Sequence, residues 1–250
     1  RRRSRGELYR RVLARYVALA TEGGVTQAVF PEGGLSLDGA LAKPKLGILR
    51  YIVDGYDAEE RDVVFIPVAI NYDRVFEDKI LVAAGQRGDR RFGARISVVV
   101  KYIWRITWRW ATGRYHRFGY AAVSFGAPLS LRAFAGTKPL LIEDLATDLM
   151  RRIGAVVPVL PVPLAASVFL SAKAPLSFAA YREAFCAVIE AMPEAHIHAP
   201  REDMDYAVEY GLRNLVARGF VSEAEGTYSA TDEGRPLLHY YANSIAHLLH

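Results

Sequence analysis

Glu32, Gly33, Gly34 and Ser36 share one short stretch, "FPEGGLSLDG", in which a carboxylate, two glycines and a hydroxyl follow an apolar run. A carboxylate accepts hydrogen bonds from substrate hydroxyls or from an arginine, and a serine donates to phosphate oxygens. Glycines allow positive φ and close approach, so that backbone N–H groups can point at an anion. Together these are the groups that hold a small molecule bearing both hydroxyls and a phosphate. Lys43 and Lys45 follow closely and bring positive charge. The same spacing also suits an ordinary surface turn after a strand, so the residue pattern alone leaves both readings open.

The elements that must position this loop can be read around it. Glu7 to Ala20 carries apolar residues at helical spacing, and Gly23 and Gly24 end the pattern. "VTQAVF" (Val25 to Phe30) reads as a short strand, "KLGILRYIV" as a helix, and "DVVFIPVAI" (Asp62 to Ile70) and "YAAVSFG" (Tyr120 to Gly126) as strands. Helix and strand alternate to about residue 130, which predicts an α/β sandwich with a mostly parallel sheet. Ligands of such sheets collect at the carboxyl ends of the strands, where "FPEGG" would lie. From about residue 138 onward the chain reads as helices punctuated by prolines, with a small hairpin at "GFVSEAEGTYSAT". The expected division is residues 1–135, an α/β unit, and residues 136–250, a helical unit.

Composition bounds the function. The 250 residues are 52% hydrophobic and hold a single cysteine, Cys186, so a disulfide framework is excluded and a reducing compartment is expected. A net charge of +5 and a pI near 9.3 favour anionic partners. The opening "RRRSRGELYRR" has neither the apolar core of a signal peptide nor the acid-poor pattern of a transit peptide, and the chain is expected to be a piece of a longer protein. No metal or cofactor site is expected.

"FPEGGLSLDG" resembles the third motif of the glycerol-3-phosphate acyltransferases, and "VVFIPVAINYDRVFED" (Val63 to Asp78) resembles their fourth. The spacing between the two is similar to the family's, as is the ending "LLHYYANSIAHLL", and the opening resembles the remainder of the second motif, an arginine pair after a strand. The resemblance implies an acyltransferase α/β sandwich, present here in part, and transfer of an acyl group from acyl-CoA or acyl-carrier protein to the sn-1 hydroxyl of glycerol 3-phosphate in phospholipid synthesis. It implies substrate binding by Glu32, Gly33, Gly34, Ser36, Arg1 and Arg2. Thioester acyl transfer needs a general base and a placed hydroxyl. The family's base is a His-x4-Asp motif that precedes the arginine pair and would fall before Arg1, so no catalytic residue is assigned. His198 and Asp203 have this spacing, but they follow the third motif and enclose Pro200, and they read as a polar loop between helices. Leu35, Leu37 and Ala40 stand where some members have basic residues, which would leave the phosphate to Arg1, Arg2, the glycine N–H groups and Lys43 or Lys45.

Two further stretches bear on membranes. If Ile96 to Trp110 is helical, Lys101, Arg105 and Arg109 form one basic stripe beside Trp104 and Trp108, a pattern suited to an anionic bilayer surface. The resulting expectation is attachment at the cytoplasmic face of a membrane through Trp104, Trp108, Arg105 and Arg109. Packing in the core with the cations reaching outward is the alternative. Ile153 to Ala172 lacks charge over a length that could span a bilayer. Pro158, Pro161 and Pro163 break a continuous helix there, so a buried connector is expected. A competing class is a binding module: Asp205 onward outlines a helix, a turn and a wing, as in winged-helix nucleic-acid domains. Glu209, Glu223 and Glu225 on those elements would repel phosphates, and no nucleic-acid partner is expected.

Overall fold

The computed structural model describes residues 6–57, 59–87, 119–136 and 141–249. Helix α1 (Glu7–Glu22) packs on α2 (Gly47–Asp54), with Val17 on its buried side. Strands β1 (Val64–Phe65) and β2 (Val68–Tyr72) follow, then helix α3 (Asp78–Arg87). After residue 118 come β3 (Ala121–Phe125), β4 (Leu129–Ser130) and the short helix α4 (Leu131–Ala135), which Ser130 caps by accepting from the Ala133 N–H. The remainder is helical: α5 (Ile142–Ala155), α6 (Pro161–Ser171), α7 (Phe178–Glu190), α8 (Met204–Ala217) and α9 (Arg235–Asn243). Three short strands, β5 (Leu176–Ser177), β6 (Val221–Ala224) and β7 (Thr227–Ala230), form an antiparallel sheet in the order β5-β7-β6.

The mixed α/β character agrees with the sequence, but the sheet does not run as expected. β2 pairs with β3 antiparallel, from Val68 opposite Phe125 to Tyr72 opposite Ala121, and β1 pairs with β4 antiparallel. The parallel pairing among the described residues is a single bridge, Val159 to Ile197. Helix–strand alternation along a sequence carries no strand direction, which is why the parallel expectation is not met here. The burial of β2 fits this pairing: Ala69 and Asn71 are buried while Ile70 and Tyr72 are exposed on the other face, the one-sided pattern of antiparallel sheets. "DVVFIPVAI" is two strands rather than one, interrupted at Ile66 and Pro67, because proline has no N–H for the ladder. Val25 to Phe30 is not a strand. Its β-branched residues favour one, but no ladder partner lies among the described residues, and Phe30 is 79% exposed.

The charge-free run from Ile153 to Ala172 is buried from Val157 to Phe169, the central part of the connector that the sequence suggests. It contains the end of α5, a break, and then α6, which begins at Pro161, a position where a missing N–H costs nothing. Every residue of α6 from Pro161 to Phe169 is buried, with α7, α8 and α9 packed around it. Among the described residues, no helix is long and apolar enough to cross a membrane. The expected hairpin is present as β6 and β7, joined by Glu225 and Gly226, both at positive φ, the backbone twist that suits a two-residue turn. The main core joins α6 to α9 with Leu81 of α3, and a smaller one gathers Leu49, Leu129, Leu131, Leu145 and Leu149.

Candidate functional site

The segment from Glu32 to Lys45 forms a loop held by its own polar groups. Ser36 Oγ accepts from the Gly39 N–H at 2.9 Å and lies 3.0 Å from both Ala40 O and Asp38 Oδ1. Asp38 Oδ1 also accepts from the Ala40 N–H at 3.1 Å. These are the local bonds by which serine and aspartate replace secondary structure in turns. At the loop's other end the Gly33 N–H donates to Phe30 O at 3.0 Å and the Lys45 N–H to Pro31 O at 2.8 Å. The Gly33 N–H is thus spent inside the turn rather than offered to an anion, whereas the Lys45 side chain returns over Gly33, its Nζ 3.5 Å from Gly33 O.

The loop does not stand alone. Asn243 Nδ2 of α9 donates to Asp38 O at 2.8 Å. Gly39, at φ +84°, passes so close to α9 that a Cβ there would lie 1.8 Å from Tyr240 O, so only glycine fits. Between the loop, the end of α3 and α9 lies a cleft of about 720 Å³, within the size range of small-molecule sites. Glu32, Gly34, Ser36, Asp38, Lys43 and Lys45 line it from the loop, Val82, Gly85 and Gln86 from α3, and Pro236, His239, Tyr240 and Asn243 from α9.

Glu32 is half-buried. Burial pushes its carboxyl above the ordinary range, the Ala42 backbone N–H pulls it back, and the Asp38 charge pushes it up again. A carboxylate so placed takes a hydrogen bond from a ligand hydroxyl readily, since it is partly stripped of water. Of the positions expected from sequence, Glu32, Gly34 and Ser36 line one cleft; Gly33 adjoins it beneath Lys45. Arg1, Arg2, Trp104, Arg105, Trp108 and Arg109 lie outside the described residues. His198 and Asp203 do not form a catalytic pair: Asp203 caps α8 by accepting from the Tyr206 N–H at 3.0 Å, and the His198 ring lies edge-on near the Tyr120 ring. Among the described residues no cluster suited to a metal ion occurs.

Residues 109–250 match the family model for the glycerol-3-phosphate acyltransferase C-terminal region. The chain belongs to the glycerol-3-phosphate acyltransferase family. The family match agrees with relatives found along nearly the whole chain. A Mycobacterium tuberculosis (strain H37Rv) protein that carries the name acyltransferase plsB1 is 28% identical across 97% of this chain and 40% of its own length. Proteins named glycerol-3-phosphate acyltransferase from Xanthomonas campestris and Pseudomonas fluorescens are 27% and 25% identical, across 99% and 96% of this chain. The chain spans 40%, 30% and 31% of the lengths of these three acyltransferase relatives.

Sequence reasoning missed the far wall of the cleft. His239 and Asn243 are four residues apart on α9 and so share a face. Two polar residues so spaced in "LLHYYANSIAHLL" were the available signal.

Proposed function

We propose that this chain holds the acceptor in an acyltransferase that moves an acyl group from acyl-CoA or acyl-carrier protein to the sn-1 hydroxyl of glycerol 3-phosphate, an early step of phospholipid synthesis. The observation that carries this reading is the cleft, which sets Glu32 and Ser36 beside Lys43 and Lys45 in a chain of this family. Glycerol 3-phosphate presents two hydroxyls and a phosphate. Carboxylate and hydroxyl groups suit the first, ammonium groups the second, and a ligand anchored at both ends has its reacting hydroxyl placed. The reaction also needs a general base, the role that the resemblance gives to the family's His-x4-Asp motif.

Glu32→Gln in the full-length enzyme tests this. The change keeps shape and removes the charge, so acyl transfer should fall at least about tenfold, roughly 1.4 kcal/mol of transition-state stabilisation, with the melting temperature hardly moved. Turnover near wild type would reduce the loop to a structural turn.

The enzyme works on molecules that enter and leave lipid, and we propose that it attaches at the cytoplasmic face of an anionic membrane. Support comes from the basic, tryptophan-bearing pattern around Trp104 and Trp108 and from the apolar residues Leu8, Val12, Tyr16 and Leu19, which are exposed along α1. A nucleic-acid role has no such support, because Glu223 of the would-be wing is exposed beside Tyr228.

A further inference from the structure

We propose that His239 of α9 is a ligand-binding residue of the acceptor cleft and that it takes the phosphate end of the acceptor together with Lys43 and Lys45. The inference rests on the acceptor reading above and deepens it. It makes the C-terminal helix part of the binding site instead of mere support.

α9 turns Pro236, His239, Tyr240 and Asn243 toward the cleft, positions that recur at helical spacing and form one stripe. Two of these have structural tasks. Asn243 donates its amide to Asp38 O, and the Tyr240 backbone meets Gly39. These two contacts fix the distance between α9 and the loop. Tyr241, the next residue, is hydrogen-bonded to Asp78 at the start of α3, which fixes α9 against the third wall. His239 differs from its neighbours: it is exposed, it lines the cleft, and among the described residues its side chain makes no hydrogen bond or ion pair.

The charges around the cleft separate its two tasks. Glu32 and Asp38 are its carboxylates, while Lys43, Lys45 and His239 are the groups able to carry positive charge. A phosphate offers three strong acceptor oxygens and is poorly served by carboxylates, so it belongs with the latter three. Two ammonium groups act as point charges, whereas an imidazole N–H adds a directed donor from the wall opposite the loop. The hydroxyl-bearing end then falls toward Glu32 and Ser36. Such an arrangement orients the acceptor, because its two ends meet unlike partners on walls held at a fixed separation.

Calorimetric titration of glycerol 3-phosphate into the full-length protein tests the assignment. His239→Gln should weaken binding and raise KM roughly tenfold, with kcat within about twofold of wild type, the pattern of a lost ground-state contact. His239→Arg, which keeps a directed cationic donor, should restore most of the affinity, as a purely structural histidine would not allow. Affinity for glycerol, which lacks the phosphate, should not change in either variant. Wild-type binding that His239→Gln leaves intact overturns the role of His239 while sparing the acceptor cleft. A protein that keeps His239 and still binds glycerol 3-phosphate normally after Lys43 and Glu32 are both replaced overturns the cleft itself, and His239 with it.

Discussion

Tyr241→Phe should destabilise the protein by about 3 kcal/mol, because one hydroxyl closes two long-range bonds in a buried position. Tyr241 Oη donates to Asp78 Oδ2 at 2.6 Å and accepts from the Val75 N–H at 3.1 Å. Asp78 is 4% exposed and Tyr241 2%, so water cannot take over the bond between them, and it has limited access to the part-buried Val75 N–H. Losing a hydrogen bond to a charged acceptor costs about 1.5–3 kcal/mol, and leaving the Val75 N–H unpaired adds about 1–3 kcal/mol. Asp78 keeps Arg218 and the Lys79 N–H at 2.7 Å, which holds the total near the lower end of the two costs combined, at about 3 kcal/mol. Burial pushes the Tyr241 hydroxyl's pKa far up, with Asp78 reinforcing and Arg218 opposing, so it stays a donor across the working pH range. Urea denaturation of wild type and variant measures the loss, and in a chain of this size about 3 kcal/mol lowers Tm by roughly 6–12 °C. Hydrogen exchange at Val75 should quicken selectively. A loss under about 1 kcal/mol, or an unchanged Val75 exchange rate, would refute the idea that this hydroxyl joins α3 to α9.

Asp73 makes stability depend on pH: burial raises its carboxyl to about 7, against the Val162 and Tyr120 N–H groups that favour the charged form. The unfolded chain releases this proton near pH 4 and the folded chain near 7, so the group's contribution is full below about 4 and is lost as pH rises to about 7. Wild-type stability minus that of Asp73→Asn, from urea titrations, should therefore fall between pH 4 and 7 and level off above, and a difference constant with pH would count against it. Trp104→Ser with Trp108→Ser should release the full-length enzyme from anionic vesicles in co-sedimentation while its unfolding midpoint holds. Undiminished binding, or a collapse of the fold, would place these tryptophans in a core instead.

What could be read in advance was local. The turn of the β6–β7 hairpin shows itself as Glu225-Gly226 between β-formers, and α6 as an apolar run that opens on prolines, because both depend on neighbours in sequence. The loop from Glu32 to Lys45 was legible for the same reason: Ser36, Asp38 and Gly39 bond to one another. Val25 to Phe30 shows where the approach fails, since strand residues form a strand only beside a partner, and partners are long-range facts. His239 was invisible on the same grounds. It stands some two hundred residues from Glu32 along the chain, and only the folding of α9 against the loop brings both to one cleft. The Asp78–Arg218 pair, separated by 140 positions, is another such contact.

Long-range contacts also explain why Asn71 and Asp73 of "INYDR" face inward. Asn71 Nδ2 donates to Pro158 O at 2.9 Å and lies 3.2 Å from Ser244 Oγ, while Asp73 Oδ1 accepts from the Val162 N–H at 2.9 Å and Oδ2 from the Tyr120 N–H at 3.3 Å. Both side chains are buried: Asp73 satisfies the Val162 N–H, one of the donors that the first turn of α6 leaves unpaired, and Asn71 satisfies the Pro158 carbonyl in the break before α6. An apolar residue at either position would strand those groups at about 1–3 kcal/mol each. A resemblance that spans this stretch therefore marks the join between the β2–β3 pair and the helical layer as much as any chemistry. The cleft depends on that join: α6 packs on α9, α9 carries His239 and Asn243, and Asn243 holds the loop that presents Glu32.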